Sequence, residues 1–248
     1  MATITALNGA KLADAVYRFD SKVGDYILAL DKNNKPVTFS DSTTDLQMAL
    51  YQKTTTGDYV VAFRGTSSLK DGATDPQMGV STLISGRANQ LAPASTTLSM
   101  WEALYSLSSS NTTLVGHSLG ASLAQYFGAS TGFETLTYNA YGVGNMNQVG
   151  GYSSNITNYI TMHDPVSVLL RSKMVGTTYM LQDESLYDLA GHGIANFTSI
   201  DSWVRGYSLV DDPSSIDVID GIGSSGLDSA YELALRLSEG RTFAMING

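Results

Sequence analysis

Short apolar runs alternate along the chain with glycine-bearing, polar turns, and the spacing of the apolar positions switches between two periods. Over residues 5–19, Leu7, Leu12, Val16 and Phe19 recur at helical spacing with alanines between them, which predicts a helix covering one face of the domain. Residues 26–30 read as a short strand, 31–36 as a turn, and Val37, Thr38 and Phe39 as a segment pairing back on that strand. Residues 46–53 and 58–63 form an expected hairpin. Its second strand is apolar throughout, as a central strand covered on both faces is. Residues 97–107 carry Leu98, Trp101, Leu104, Tyr105 and Leu107, a helical stripe of core residues. Residues 112–115, 135–143 and 155–162 read as further strands, and Ala121 to Phe127 as a helix between the first two. Strand and helix alternate, so the expected class is α/β, with a mainly parallel sheet flanked by helices on both faces.

Composition narrows the partners. With 248 residues, 43% of them hydrophobic, the chain fills one large domain, 1–248, with a substantial core. A net charge of -9 argues against nucleic acid and against electrostatic attachment to an anionic membrane, leaving apolar contact with a lipid interface open. There is no cysteine, hence no disulfide, thiolate metal site or cysteine nucleophile. No stretch approaches about 18 apolar residues, so no transmembrane segment is expected. The first residues lack the basic start and apolar core of a cleavable signal peptide. Export by a route without such a signal is the expectation, and a cytoplasmic place is the other reading.

The candidate chemistry centres on Gly116-His117-Ser118-Leu119-Gly120, set between the strand at 112–115 and the helix that follows. In that context G-x-S-x-G is a nucleophile elbow: the glycines leave room for a sharp turn that lifts the serine Oγ above the sheet. The helix N-terminus there favours developing negative charge, and the Leu119 N–H is an oxyanion donor.

Val60 to Phe63 run into Arg64-Gly65-Thr66, and Val115-Gly116-His117-Ser118-Leu119-Gly120-Ala121 follows some fifty residues later. Together these strings resemble the fungal-type (class 3) lipases and their bacterial relatives, over roughly residues 58–200. The resemblance implies an α/β-hydrolase fold and a serine esterase, and it assigns the second oxyanion donor to Thr66. It also implies a lid over residues 67–95, where Met78, Val80, Leu83 and Ile84 give an otherwise polar segment one apolar side for substrate. The other reading of 67–95 is an irregular surface loop with a short core-packed helix. Arg64 reads as a charge pinning its loop.

A serine nucleophile needs a base, and the base needs a carboxylate to set its tautomer. The chain has 3 histidines. His117 adjoins Ser118 on a turn where neighbouring side chains diverge, and His163 directly precedes Asp164 and points away if Asp164 faces the site. His192, between Gly191 and Gly193, is the expected base. Asp164 ends a strand and is the expected acid, although its Asp-Pro-Val-Ser setting departs from the Asp-x-Val-Pro of the resembled family. Asp183, Glu184 and Asp188 are the runners-up and read as solvated. The order Ser118, Asp164, His192 is that of α/β-hydrolases. The short interval from Asp164 to His192 predicts a trimmed C-terminal part of the sheet.

Residues 205–248 read as an extension carrying an amphipathic helix over 227–237. Asp211, Asp212, Asp217 and Asp220 lack calcium-loop spacing and read as a solvated acidic loop. The expected function is hydrolysis of fatty-acyl esters, by a triacylglycerol lipase or a phospholipase A at a lipid–water interface, with neither metal nor organic cofactor. A nutritional lipase and an antibacterial effector would share this chemistry. The rival readings are an esterase for small esters, with 67–95 as a fixed wall, and a non-catalytic interaction protein on the same fold. The sequence is silent on oligomeric state.

Overall fold

The computed structural model describes residues 4–65, 76–143, 149, 152–161, 164, 167, 174–181, 191–199 and 207–210, with 76–88 and 207–210 as backbone alone. A 10-stranded sheet organises them. Its strands are β1 (Lys22–Val23), β2 (Tyr26–Leu28), β3 (Thr38–Asp41), β4 (Leu46–Lys53), β5 (Tyr59–Phe63), β6 (Thr112–His117), β7 (Glu134–Tyr138), β8 (Ile156–Thr161), β9 (Thr177–Leu181) and β10 (Tyr207–Val210). The helices are α1 (Ala6–Ala15), α2 (Pro76–Tyr105), α3 (Leu119–Thr131) and α4 (Ala195–Thr198). From β5 to β9 each strand lies parallel to the next. Antiparallel strands extend both ends: β4, β2 and β1 on one side and β10 on the other. This is the mainly parallel α/β sheet that the alternating pattern predicts, in the α/β-hydrolase arrangement that the resemblance implies.

Both faces of the central strands are buried, and alternate residues enter different cores. Val60 and Ala62 join Ala49, Tyr51, Val115 and Leu136 under α1, which contributes Leu12 and is followed by Val16. Val61 and Phe63 join Met48, Leu50 and Leu114 on the opposite face, beneath Leu98 and Trp101 of α2 and Leu123 and Phe127 of α3. Each buried Val, Leu, Met or Phe side chain among them contributes roughly 1.5–3 kcal/mol by leaving water. The period-two alternation fixes the register, since a slip of one residue would exchange the two cores. A buried polar bridge ties α3 to the sheet: the Gln125 amide donates to Asn158 Oδ1 at 2.7 Å and the Thr137 hydroxyl to the same oxygen at 2.6 Å.

Several elements differ from expectation. The segment after the first turn pairs with β4 through β3, and it meets the earlier strand only at the Leu30–Pro36 bridge. β2 takes up only the far end of the longer β4, leaving the half around Leu46 to Ala49 for β3. Over the described part of 67–95 the backbone is helical, where an irregular loop with only a short helix is one of the two readings. Residues 76 to 105 form one helix that runs through Pro93, carrying Met78, Val80, Leu83 and Ile84 along it. Gly, Ser, Thr and Pro dilute the helical signal there, and the burial of Ala94, Leu98 and Trp101 holds the helix against the sheet. Leu104, expected in the core, is 67% exposed. The strand expected over 135–143 ends at Tyr138, because Asn139 turns the chain with a φ of 48°. The strands β9 and β10 have no counterpart in the pattern reading. The proposed helix at 227–237, the acidic residues from Asp211 on, and Trp203 lie outside the described residues.

Candidate active site

β6 delivers Ser118 to the carboxyl end of the sheet, and α3 begins at the next residue. Ser118 has φ 61° and ψ -126°, a conformation that costs a side-chain-bearing residue on the order of 1–3 kcal/mol. The two elbow glycines make the turn possible. A Cβ on Gly116 would run into the Gly120 carbonyl, and one on Gly120 into the Phe63 carbonyl at the end of β5. The Ser118 N–H donates to the Tyr138 carbonyl at 3.0 Å, which anchors the turn to β7. Although Ser118 occupies the cap position of α3, its hydroxyl caps nothing and is directed elsewhere. Leu119 opens the helix, where backbone N–H groups have no intrahelical acceptor.

The hydroxyl meets His192. Ser118 Oγ lies 2.9 Å from His192 Nε2, and the Nδ1–H of the same ring donates to Asp164 Oδ2 at 2.8 Å. Since a carboxylate only accepts, Nδ1 carries the proton and Nε2 presents its lone pair to the serine. Asp164 is fully buried, and the Ser167 hydroxyl donates to its Oδ2. The loop holding His192 is clamped on both sides of the ring. The Gly191 carbonyl accepts from Thr161 Oγ1 at 2.6 Å, Asn139 Nδ2 at 2.9 Å and Asn196 Nδ2 at 3.0 Å. The His192 carbonyl accepts from His117 Nε2 at 2.7 Å.

That last bond explains His117. Its Nε2–H is committed to a carbonyl, so its Nδ1 is an acceptor, and the Tyr17 hydroxyl donates to it at 3.0 Å. Burial, reinforced by the neighbouring His192, pushes the His117 pKa down to about 3. His117 is thus a neutral strut between the end of the first helix and the His192 loop, and it makes no hydrogen bond to Ser118. Arg64 pins its loop as expected, donating to the Asp45 carbonyl at 3.0 Å and pairing with the Asp45 carboxylate. Thr66, His163 and the runner-up acids Asp183, Glu184 and Asp188 lie outside the described residues.

One site residue escaped the sequence reading. Tyr141 lies just past β7, and its hydroxyl is 2.6 Å from Ser118 Oγ and 3.0 Å from His192 Nε2. Its ring runs nearly parallel to the imidazole, 7° apart with centroids at 5.6 Å. Burial raises its pKa well above the ordinary tyrosine value, so the phenol is a neutral donor. In the sequence Tyr141 stood within an expected strand, where alternation sends it to one face or the other; only the turn at Asn139 brings it onto the serine.

Among the described residues no three His, Asp or Glu side chains gather as metal ligands do, and no helix is long and apolar enough to cross a membrane.

Residues 8–192 match the sequence model of the Tle-like phospholipase domain, a phospholipase-like family. No curated protein matches the chain. Among solved structures the chain is similar to a triacylglycerol lipase from Penicillium expansum, at 17% identity over 73% of this chain and 82% of that one, with a TM-score of 0.42. It is similar also to the Lip2 lipase from Yarrowia lipolytica, at 16% identity, 71% and 77% coverage and a TM-score of 0.48. A lipase from Rhizopus microsporus var. chinensis stands at 17% identity, 79% and 84% coverage and a TM-score of 0.47.

Proposed function

The chain belongs to the Tle-like phospholipase domain family, and from that premise we propose that it cleaves fatty-acyl esters of phospholipids through Ser118, His192 and Asp164. It is an enzyme of the lipase and esterase type. Ser118 Oγ attacks the ester carbonyl while His192 Nε2 takes its proton. Asp164 keeps the proton on Nδ1 and stabilises the imidazolium that forms. The N–H groups of Leu119 and Thr66 hold the tetrahedral oxyanion at the start of α3. His192 then gives its proton to the leaving alcohol, and a water activated by the same nitrogen releases the acyl group from Ser118. The observation that carries this reading is the unbroken run from Ser118 Oγ through both ring nitrogens of His192 to a buried Asp164, at 2.9 and 2.8 Å.

Residues Met78, Val80, Leu83 and Ile84 are assigned to the acyl-chain side of the site. A second reading, an esterase for small esters, draws on one feature: residues 76–95 belong to the same helix as the core-packed Leu98 and Trp101, as a fixed wall would. Fatty-acid release from phosphatidylcholine vesicles and from emulsified triacylglycerol, measured side by side with Ser118→Ala as the blank, tests both. Faster release from phospholipid is expected, with Ser118→Ala down by at least about 10³-fold. Release by Ser118→Ala at the wild-type rate would overturn the assignment. Cleavage of short soluble esters only would favour the second reading.

A further inference from the structure

Three heteroatoms form a closed triangle at the nucleophile: Ser118 Oγ, His192 Nε2 and the Tyr141 hydroxyl, with edges of 2.6, 2.9 and 3.0 Å. His192 Nε2 has one lone pair, because its partner nitrogen holds the proton toward Asp164. Two hydroxyls therefore compete for one acceptor. When the serine hydroxyl donates to Nε2, the phenol donates to Oγ and occupies one of its two lone pairs. When the phenol donates to Nε2, the base is spent and the serine stays unactivated. In both arrangements the phenol holds a group that the ester must engage.

The position of the phenol oxygen is telling. In acyl transfer the leaving-group oxygen, and later the attacking water, must lie beside Oγ and within about 2.6–3.2 Å of the base nitrogen that exchanges its proton. The Tyr141 oxygen satisfies both conditions. Ser118, Tyr141 and His192 are 2%, 3% and 6% exposed, so the place is filled as well as spanned. We propose that Tyr141 is the gate of this site: its phenol stands where the leaving-group oxygen belongs, and an ester reaches Ser118 only once that side chain has swung away.

Asn139 and Gly142 flank the tyrosine with φ values of 48° and 67°, and Ala140 beside it is small. One hydrogen bond from the Tyr141 N–H to Ser122 Oγ, at 3.2 Å, ties its backbone to α3. The phenol itself is held by the two catalytic partners named above. It remains a neutral donor, because burial keeps it protonated. The gate is thus latched by the groups that a substrate must engage, and binding and unlatching are coupled.

The inference rests on Ser118 as nucleophile and His192 as base, and the test separates the two claims. Wild type, Tyr141→Phe and Tyr141→Ala are reacted with a fluorophosphonate, and the second-order rate of Ser118 modification is followed by mass spectrometry. kcat and KM on a short soluble ester and the thermal midpoint are measured on the same samples. Tyr141→Phe keeps the ring and removes the latch, so it is expected to label roughly three- to tenfold faster, the worth of about one net hydrogen bond. Its kcat/KM rises by a similar factor at an unchanged midpoint. Tyr141→Ala, where folded, labels faster still. Labelling of Tyr141→Phe no faster than wild type would overturn the gate while leaving the nucleophile assigned, and slower labelling with a lower kcat would make the phenol a catalytic aid. No labelling of any of the three would remove the nucleophile assignment and the gate with it.

Discussion

His117 adjoins the nucleophile in sequence yet serves the neighbouring loop, and its burial makes it a reporter of that role. The unfolded chain protonates a histidine near the ordinary value of 6.5, whereas the folded His117 does so only near 3. Between these values the unfolded state binds the extra proton, so stability falls as pH drops below about 6.5, by up to ~1.4 kcal/mol per pH unit. His117→Gln retains a donor for the His192 carbonyl and removes the titration. Urea midpoints at pH 7 and pH 5 are expected to diverge more in wild type than in the variant; equal losses would contradict the neutral strut. At the same scale, Asp164→Asn leaves the ring supported but permits the wrong tautomer of His192. A fall of about 10³–10⁴-fold in kcat, with KM little changed, is expected in steady-state assays.

At the scale of elements, the long second helix is the clearest departure from the pattern reading. Its last turns carry Leu98 and Trp101 into the core beside Phe127, while Leu104 faces water at 67% exposure. Trp101→Ala should therefore cost about 3–5 kcal/mol, and Leu104→Ala less than about 0.5 kcal/mol, both read from denaturant midpoints. A comparable loss from Leu104→Ala would mean that this face of the helix packs against something. The hairpin of β4 and β5 was legible because its apolar residues are continuous and its turn is polar. The turn after β7 was not: Asn139 sits at positive φ because its side chain bridges the Gly191 carbonyl and the Thr161 N–H, partners distant in sequence.

At the scale of the whole molecule, charge bears on how the protein meets a lipid surface. The net charge of -9 repels anionic headgroups over a Debye length of roughly 8 Å at physiological salt. Adsorption to phosphatidylcholine vesicles is expected to weaken as anionic lipid is added and to recover with salt, as measured by co-sedimentation with Ser118→Ala. Stronger binding to the anionic vesicles would reveal a basic docking face that the overall balance hides.

The sequence by itself determined the α/β class, the hairpin feeding the central sheet, the elbow at Ser118 and the candidacy of His192 and Asp164. These rest on short-range physics: periodicity, the space that Gly116 and Gly120 must leave, and the scarcity of histidines. Tertiary structure alone decided that residues 76–105 are one helix, that His117 braces the His192 loop, and that Tyr141 closes on the serine. Each depends on contacts between residues far apart in the chain, formed when burial brings them together and forces every polar group to find a partner.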